Sequence, residues 1–226
     1  MRNWWSGPSR TIPQERRASP IESIDAIWQV RGDGRAYAVD PDGCMDLIFD
    51  EENRVRIVGS MTVRKQVLLP VGVRLRGIRF RPGRLASFLK MDACELVDKL
   101  QELRTFPLEE WLQRSCVLTP GQRALDFLAE RHGNVDLDWV AGQAGLSVRH
   151  FRRVSLERTG LSPKHLARVL RFRRAQSLRR HSGTAWSALA VDCGYYDQAH
   201  LIRDWREFTG MSPMAEFSNR AAEPSD

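Results

Sequence analysis

The 226-residue sequence lacks long apolar runs, and no segment approaches the roughly 18 consecutive apolar residues of a membrane-spanning helix. Its first twenty residues contain charge and proline but no apolar core of a secretory signal. We therefore expect a soluble, cytoplasmic protein with no membrane partner. With 42% hydrophobic and 28% charged residues, the composition is that of a globular protein with one or two domains.

Cysteine is scarce and does not occur in metal-binding pairs. The four cysteines, Cys44, Cys94, Cys116 and Cys193, form no Cys-x-x-Cys pair and no paired Cys/His spacing. We therefore predict no metal site and interpret the cysteines as small buried residues. No histidine precedes His132, which excludes a Ser-His or Cys-His catalytic pair within the N-terminal half.

Common enzyme motifs are also missing. The sequence has no Gly-x-Ser-x-Gly nucleophile elbow, no Gly-x-x-x-x-Gly-Lys-Ser/Thr phosphate loop and no His-Glu-x-x-His zinc motif. We predict that the protein is not an enzyme and needs no cofactor.

Positive charge is what the sequence has in excess, with 35 basic and 28 acidic residues and a net charge of +7. Residues 149–180 carry eleven basic residues against the single acid Glu157, and ten of the eleven are arginines. A run of this kind can be a solvated helix face. It also attracts a polyanion, because each neutralised phosphate releases a counterion, and the arginine fork suits phosphates and guanine edges.

The N-terminal half has the pattern of a small sheet. Residues 21–80 contain six short β-like runs separated by turn residues. In residues 54–59, apolar and charged side chains alternate, as in a half-buried antiparallel strand. The sequence therefore predicts an antiparallel sheet in this region.

Residues 83–115 show helical spacing of leucines and aromatic residues instead, and one predicted helix passes through Leu96, Leu100 and Leu103. We therefore predict a small α+β domain over residues 21–115, following a flexible arm at residues 1–20.

An internal repeat organises residues 119–218. Residues 139–163 align with residues 188–213. Equivalent residues lie 49 positions apart before the turn and 50 positions apart after it, because the second turn has one extra residue. Each copy predicts a helix, a turn at Gly145 or Gly194, and a second helix. The sequence thus predicts an all-α domain with two helix-turn-helix units. A long helix at 162–180 joins them, and a short tail at 219–226 follows.

The second copy contains Gly-Tyr-x-Asp-Gln-x-His-Leu-x-Arg at 194–203, followed by Phe208, Gly210, Ser212 and Pro213. Together with the first copy, these motifs resemble the DNA-binding domain of the AraC/XylS family of transcription regulators. The resemblance implies two recognition helices that enter adjacent major-groove segments of double-stranded DNA. It also implies the transcription machinery as a partner.

The resemblance places the base-reading face of the first recognition helix on Arg149, Arg152 and Arg153, which share one helix face. In the second helix, Arg203 can pair with guanine, whereas Ala199 and Ile202 offer only apolar contact to a thymine methyl. Two histidines are interpreted as cap, packing or phosphate-contacting residues. The predicted DNA-contacting set is Arg149, His150, Arg152, Arg153, Gln198, Ala199, His200, Ile202 and Arg203.

The first unit departs from the family pattern. It has Ser155 and Arg158 where the second has Trp205 and Phe208. We therefore expect the first unit to pack less tightly. The residues expected to hold it are Phe151 and Val154.

Residues 40–49, 58–62 and 77–83 resemble an N-terminal domain found in a subset of these regulators. The resemblance implies a domain that binds a small-molecule effector or forms a homodimer and so shifts the population that binds DNA. The candidates for lining an effector pocket are Asp42, Cys44 and Asp46.

Two alternatives stay open at this point. One is a redox- or alkylation-sensing regulator that acts through Cys44. The other is an architectural protein that binds DNA without sequence preference, against which the repeated recognition helices argue. Because one chain carries two reading units, the oligomeric state is also open.

Overall fold

The computed structural model describes residues 17–18, 21–104, 106–113 and 116–222. In this part of the chain, an antiparallel sheet domain precedes an all-helical domain, which confirms the predicted fold class. No helix in these ranges is long and apolar enough to cross a membrane. The same ranges contain no cluster of three or more His, Cys, Asp or Glu side chains that could hold a metal ion.

The six β-like runs all form strands. The main sheet is antiparallel throughout. Its strand order is β2 (Ile24–Arg31), β7 (Arg74–Phe80), β4 (Met45–Phe49), β5 (Val55–Val58) and β8 (Leu100–Leu103). Two smaller pairs join β3 (Ala36–Val39) to β6 (Lys65–Leu68), and β1 (Arg17–Ala18) to β9 (Cys116–Val117).

The helix predicted through Leu96, Leu100 and Leu103 was wrong. Leu96 ends a short 3₁₀ helix, Ala93–Leu96, and the two later leucines lie in the edge strand β8. Asp98 separates the two segments with a φ of 59°, a left-handed conformation that no α-helix continues through. The Asp98 carboxylate accepts hydrogen bonds from the backbone and hydroxyl of Thr62, a long-range contact that periodicity does not reveal.

The core of the N-terminal domain lies between the sheet and the helices that follow it, α1 (Arg84–Leu89) and α2 (Leu108–Gln113). Phe80 and Trp111 pack edge to face with ring centroids 5.3 Å apart. The fully buried aliphatic residues of this core are Leu47, Ile57, Leu85 and Leu96.

Two short segments differ from the expected arm and tail. Residues 17–18 pair with residues 116–117, which ties the start of the described chain to the end of the N-terminal domain. The last helix continues to Ala222. The remainder of the arm and residues 223–226 lie outside the described residues.

The C-terminal domain contains both predicted helix-turn-helix units. In each, a glycine with a φ of 70° or 75° (Gly145 and Gly194) makes the turn. The side chain of Ser147 or Asp197 then caps the next helix by accepting from the third backbone N–H after it. Its helices are α3 (Pro120–Glu130), α4 (Leu137–Gln143), α5 (Val148–Thr159), α6 (Pro163–Ser182), α7 (Trp186–Asp192), α8 (Gln198–Thr209) and α9 (Pro213–Ala222).

The long helix α6 joins the two units by contributing to both of their cores. Leu166 and Leu170 are buried in the first core, together with Phe151 of α5. Phe172 and Ala175 are buried in the second core, where the Phe172 ring packs edge to face on Trp205. The inward positions of this helix therefore include Leu166, Leu170 and Ala175.

Candidate nucleic-acid interface

The first recognition helix, α5, exposes one row of arginines. Arg149, Arg152 and Arg153 are all exposed, while Phe151 and Val154 on the opposite side are buried. Among the described residues, no ion pair or hydrogen bond engages the guanidinium groups of Arg149 and Arg152. Arg153 differs, because it donates to Glu157 at 2.6 Å. Two of the three arginines are therefore free to meet a ligand.

The second recognition helix, α8, presents a much less charged surface. Ala199 and Arg203 are exposed, and Gln198 and Ile202 are half-buried. The exposed strip of this helix therefore offers one guanidinium beside small and branched apolar groups. The four positions do come together on one surface at the start of α8, as the alignment of the repeats predicts.

The two histidines have structural contacts. The backbone N–H of His150 donates to the Ser147 cap, and that of His200 donates to the Asp197 cap. The half-buried His200 ring also packs edge to face on Tyr195, with centroids 5.2 Å apart. Only His200 has a packing contact through its side chain, and the interpretation of the exposed His150 side chain stays a prediction.

Sequence reasoning missed two exposed apolar residues beside α8. Tyr196 is 92% exposed in the turn before α8, and Val191 is 70% exposed in the last turn of α7. Tyr196 is the extra residue of the second turn. The turn of the second repeat is one residue longer than that of the first, and this difference could have identified Tyr196 from the sequence.

Much of the basic run over 149–180 serves the fold. Arg168 of α6 forms ion pairs with Asp204 and Glu207 of α8. Arg173 pairs with Asp25 of the N-terminal domain at 2.7 Å, and Arg179 donates to two backbone carbonyls after α6. The number of arginines in the run therefore overstates the charge available to a polyanion.

The N-terminal domain packs on α5 at the position where the first unit lacks aromatic residues. Arg158 donates to the Ser87 hydroxyl of α1 at 2.7 Å and to the Gln122 side chain at 3.3 Å. Ser155 is fully buried and donates to the Leu161 carbonyl at 2.7 Å. Contacts with the other domain thus take the place of the core that Trp205 and its neighbours form in the second unit.

A buried ion pair strengthens this contact. Arg84 of α1 and Asp126 of α3 lie 2.6 Å apart, and each side chain is only 6% exposed. Gln122 donates both to Asp126 and to the Pro82 carbonyl. The interpretation of Cys94 as a buried residue was wrong, because it lies on the exposed side of the 3₁₀ helix Ala93–Leu96. Its thiol donates to the Leu156 carbonyl near the end of α5.

A second polar network joins the N-terminal domain to α6, α8 and α9. Arg64 donates to Asp40 and, at 2.8 Å, to Glu216 of α9. The other Glu216 oxygen accepts from the Trp205 indole of α8, also at 2.8 Å. Gln176 of α6 donates to Asp40. The domain interface therefore touches both the linking helix and the second recognition helix.

A cleft of about 410 Å³ opens beside this network, between β3 and α6. Asp42 lines it, and burial raises the pKa of this carboxyl although Arg79 lies 2.8 Å away. Cys44 and Asp46 do not line the cleft, so only one of the three effector candidates is placed there. The full lining is Ala38, Val39, Asp40, Pro41, Asp42, Arg79, Arg173, Gln176, Ser177, Arg180 and His181.

The Cys44 side chain is poorly suited to chemical sensing. It is 4% exposed, and burial together with the nearby Asp42 charge raises the pKa of its thiol well above the usual value. Thiolate is the reactive form of cysteine. The geometry therefore argues against the redox- or alkylation-sensing alternative.

Two family models match separate parts of this chain. Residues 140–218 match the family described as a helix-turn-helix domain, and residues 21–102 match a domain of unknown function, DUF6597. The HTH-type transcriptional activators RhaS of Escherichia coli O1:K1 and O157:H7 (strain EC4115) are 35% identical to this chain over 79 residues. Those residues are 35% of this chain and 28% of each relative's length.

Two solved structures are also similar. The DNA-binding domain of AdpA, in complex with a target DNA, covers 48% of this chain and 100% of its own at 27% identity, with a TM-score of 0.44. An apo ToxT structure from Vibrio cholerae strain SCE256 covers 92% of this chain and 98% of its own, at 10% identity and a TM-score of 0.45.

Proposed function

We propose that this protein is a sequence-specific, DNA-binding transcription regulator of the AraC/XylS family, because residues 140–218 match a helix-turn-helix family and the structure contains two helix-turn-helix units. It acts in the cytoplasm on double-stranded promoter or operator DNA, together with the transcription machinery, and it is not an enzyme. One observation carries the proposal. Two helix-turn-helix units stand on one rigid helix, and each presents an exposed arginine on its recognition helix.

The length of α6 supports reading by both units at once. A helix of 20 residues spans about 30 Å, close to the roughly 34–36 Å of one helical turn of DNA. Two recognition helices placed in successive major-groove segments would then cover about 15–20 base pairs. One chain therefore suffices for a two-part site, and a homodimer is not required for DNA binding.

The recognition helices of the two units contact different bases of the DNA site. Arg149 and Arg152 suit bidentate pairing with guanine, and Arg203 gives the second unit one such contact. Arg153 is held by Glu157, so its contribution to DNA binding is smaller than that of the other two arginines of α5. Gln198 favours adenine but is half-buried, so its contact is limited to the edge of the groove.

Selection of bound duplexes from a random DNA library tests the proposal, at about 150 mM salt to suppress non-specific binding. We expect a motif with two blocks about one helical turn apart. Arg152→Ala should relax one block and Arg203→Ala the other, each at a cost of about 1–3 kcal/mol. Arg31→Ala, on the exposed edge strand β2, is the control for loss of charge alone. Tight binding without a motif would favour the architectural alternative instead.

The N-terminal domain regulates DNA binding through its interface with the helical domain. Its contacts reach α5 through Arg158, and α8 and α9 through Arg64 and Glu216. A ligand or partner that shifts the N-terminal domain would therefore change how the two recognition helices are presented. Because the N-terminal domain contacts α5 of the first unit and α8 of the second, its displacement would affect the binding of both blocks of the DNA site.

A small-molecule effector would occupy the cleft between β3 and α6, with Asp42 as a lining residue. A thermal-shift screen of polar metabolites against the wild type and Ser177→Trp, which fills the cleft, tests this part. Support would be a compound that raises the Tm of the wild type alone and changes its DNA affinity. A compound that raises both Tm values equally binds elsewhere.

A further inference from the structure

The two helix-turn-helix units differ in the chemistry of their DNA-facing ends. Where the first unit has Arg149 and Arg152, the second has Ala199 and Ile202 at the equivalent positions. Where the first has Gly142, the second has Val191. At these equivalent positions the second unit thus has apolar residues where the first has cationic or small ones.

Tyr196 extends this apolar surface. Its side chain is 92% exposed, so it contributes almost nothing to the packing of the domain. The adjacent Tyr195 shows the contrast, since it is 5% exposed and lies under the guanidinium of Arg171. Tyr196 stands directly before the Asp197 cap of α8, at the helix end that enters the groove in helix-turn-helix proteins.

The surface around this patch favours DNA as its occupant. Arg203 and Arg206 of the same helix are exposed, and no hydrogen bond or ion pair engages their guanidinium groups within the described residues. Arg206 is therefore available for a phosphate, and Arg203 for the one guanine contact of the second unit. In the major groove, the apolar group that such a patch can meet is the C5-methyl of thymine.

We propose that the second unit reads a thymine-containing block through apolar contacts of Tyr196, Ala199 and Ile202 with thymine methyl groups. The first unit reads guanine through its arginines. The inference rests on the proposed function, because it assumes that α8 enters the major groove. It assigns a base to the second unit and gives Tyr196 a role in specificity.

Replacement of thymine by uracil in the selected duplex tests the proposal, because uracil lacks only the methyl group and keeps every hydrogen-bonding atom. The full chain is titrated with duplexes carrying uracil in one block at a time. We expect each contacted methyl in the second block to be worth about fourfold in Kd, the factor for burying one such group. Uracil in the first block should change Kd by less than twofold.

Two variants separate methyl contact from phosphate contact. Tyr196→Ser should weaken binding and remove the sensitivity to uracil at one step. Tyr196→Phe should keep both the affinity and the sensitivity to uracil, because it retains the ring and loses only the hydroxyl. Val71→Ser is the control for a change in surface hydrophobicity, because Val71 is an apolar residue of the N-terminal domain that is 78% exposed.

Several outcomes would overturn the inference. Equal affinity for thymine and uracil duplexes would overturn the inference, and so would uracil sensitivity that is confined to the first block. Either result would leave the proposed regulator function intact. If Tyr196→Ser retained full uracil sensitivity, Tyr196 would have no role in reading and the patch would serve another partner. Failure to select any motif would instead remove the proposed function on which the inference rests.

Discussion

Arg64 of the N-terminal domain and Glu216 of the last helix form a buried ion pair at 2.8 Å that crosses the domain interface. The Arg64 side chain is 8% exposed and the Glu216 side chain 4%. Glu216 also accepts a hydrogen bond from Trp205, which is fully buried in the core of the second unit. The pair therefore links the N-terminal domain to the packing of α8.

Arg64→Met should lower the free energy of unfolding of the full chain by about 3–5 kcal/mol, because it removes the guanidinium that two largely buried carboxylates, Asp40 and Glu216, share. Denaturation in urea measures the change. Arg64→Met combined with Glu216→Gln should cost less than Arg64→Met alone, since one of the two carboxylates that lose the guanidinium is then neutral. Arg153→Met is the control, because its exposed pair with Glu157 is worth only about 0–1 kcal/mol. Equal losses in the single and double variants would contradict the explanation.

Gly160 and Gly210 occupy equivalent positions in the two repeats, and both end a recognition helix with a φ above 70°. Alanine at either position should cost about 1–2 kcal/mol for the left-handed backbone. Gly160→Ala should cost about 1–3 kcal/mol more, because its Cβ would lie 2.2 Å from Val97 and 2.9 Å from the Ala93 carbonyl. Nothing lies within 4 Å of a Cβ at Gly210.

Thermal denaturation of the two glycine variants measures this difference. Because the extra cost arises only at the domain interface, Gly160→Ala should also make residues 93–97 more accessible to hydrogen exchange, whereas Gly210→Ala should not. Identical Tm values for the two variants would show that the domains do not pack as the structure describes.

Glu157→Gln should strengthen DNA binding. The substitution removes a negative charge from the recognition helix and releases Arg153, which Glu157 holds at 2.6 Å. We expect a severalfold lower Kd at low salt and a steeper dependence of Kd on salt, because one more cation reaches the phosphates. Fluorescence anisotropy with a labelled duplex measures both.

The matched control for this variant is Glu52→Gln. Glu52 also forms an exposed ion pair with an arginine, Arg54, but it lies in the turn between β4 and β5 of the N-terminal domain. The net charge changes equally in the two variants. A lower Kd in both would mean that total charge, and not the release of Arg153, strengthens the binding.

Cys94 should react with thiol reagents well before Cys44 and Cys193. Cys94 is exposed, whereas the other two are buried. Burial raises the pKa of the Cys193 thiol to about 11 and that of Cys44 well above its usual value. Mass spectrometry after brief alkylation at pH 7.5, with Cys94→Ser as the reference, identifies the labelled site. Rapid labelling of Cys44 in the folded protein would revive the chemical-sensing alternative.

The repeat made the C-terminal domain predictable from sequence. Two copies with the same glycine and the same cap position can form only one kind of unit, and the caps at Ser147 and Asp197 act as their spacing indicates. The strands of the N-terminal domain were equally evident from alternation. The strand β8 was not, because Leu96, Leu100 and Leu103 have helical spacing and the break at Asp98 depends on a contact with Thr62, 36 residues away.

The candidate interface was predictable in position but not in available charge. Sequence spacing places Arg149, Arg152 and Arg203 on the recognition helices, where the structure exposes them. It could not show that Arg168 and Arg173, in the same basic run, are used in ion pairs with distant residues. Nor could it distinguish Asp42, which lines a cleft, from Asp46, which Arg79 engages through two hydrogen bonds.

The local structure of this protein follows from its sequence, because caps, turns and periodicity act between residues a few positions apart. The two helix-turn-helix units, the helix that joins them and the arginines they present are all of this local kind. How the domains meet depends instead on contacts between residues far apart in the chain. The contacts of Arg158 with Ser87 and of Arg64 with Glu216 join residues 71 and 152 positions apart, and no local pattern encodes such pairs. These contacts determine which charges stay free and which are used within the fold.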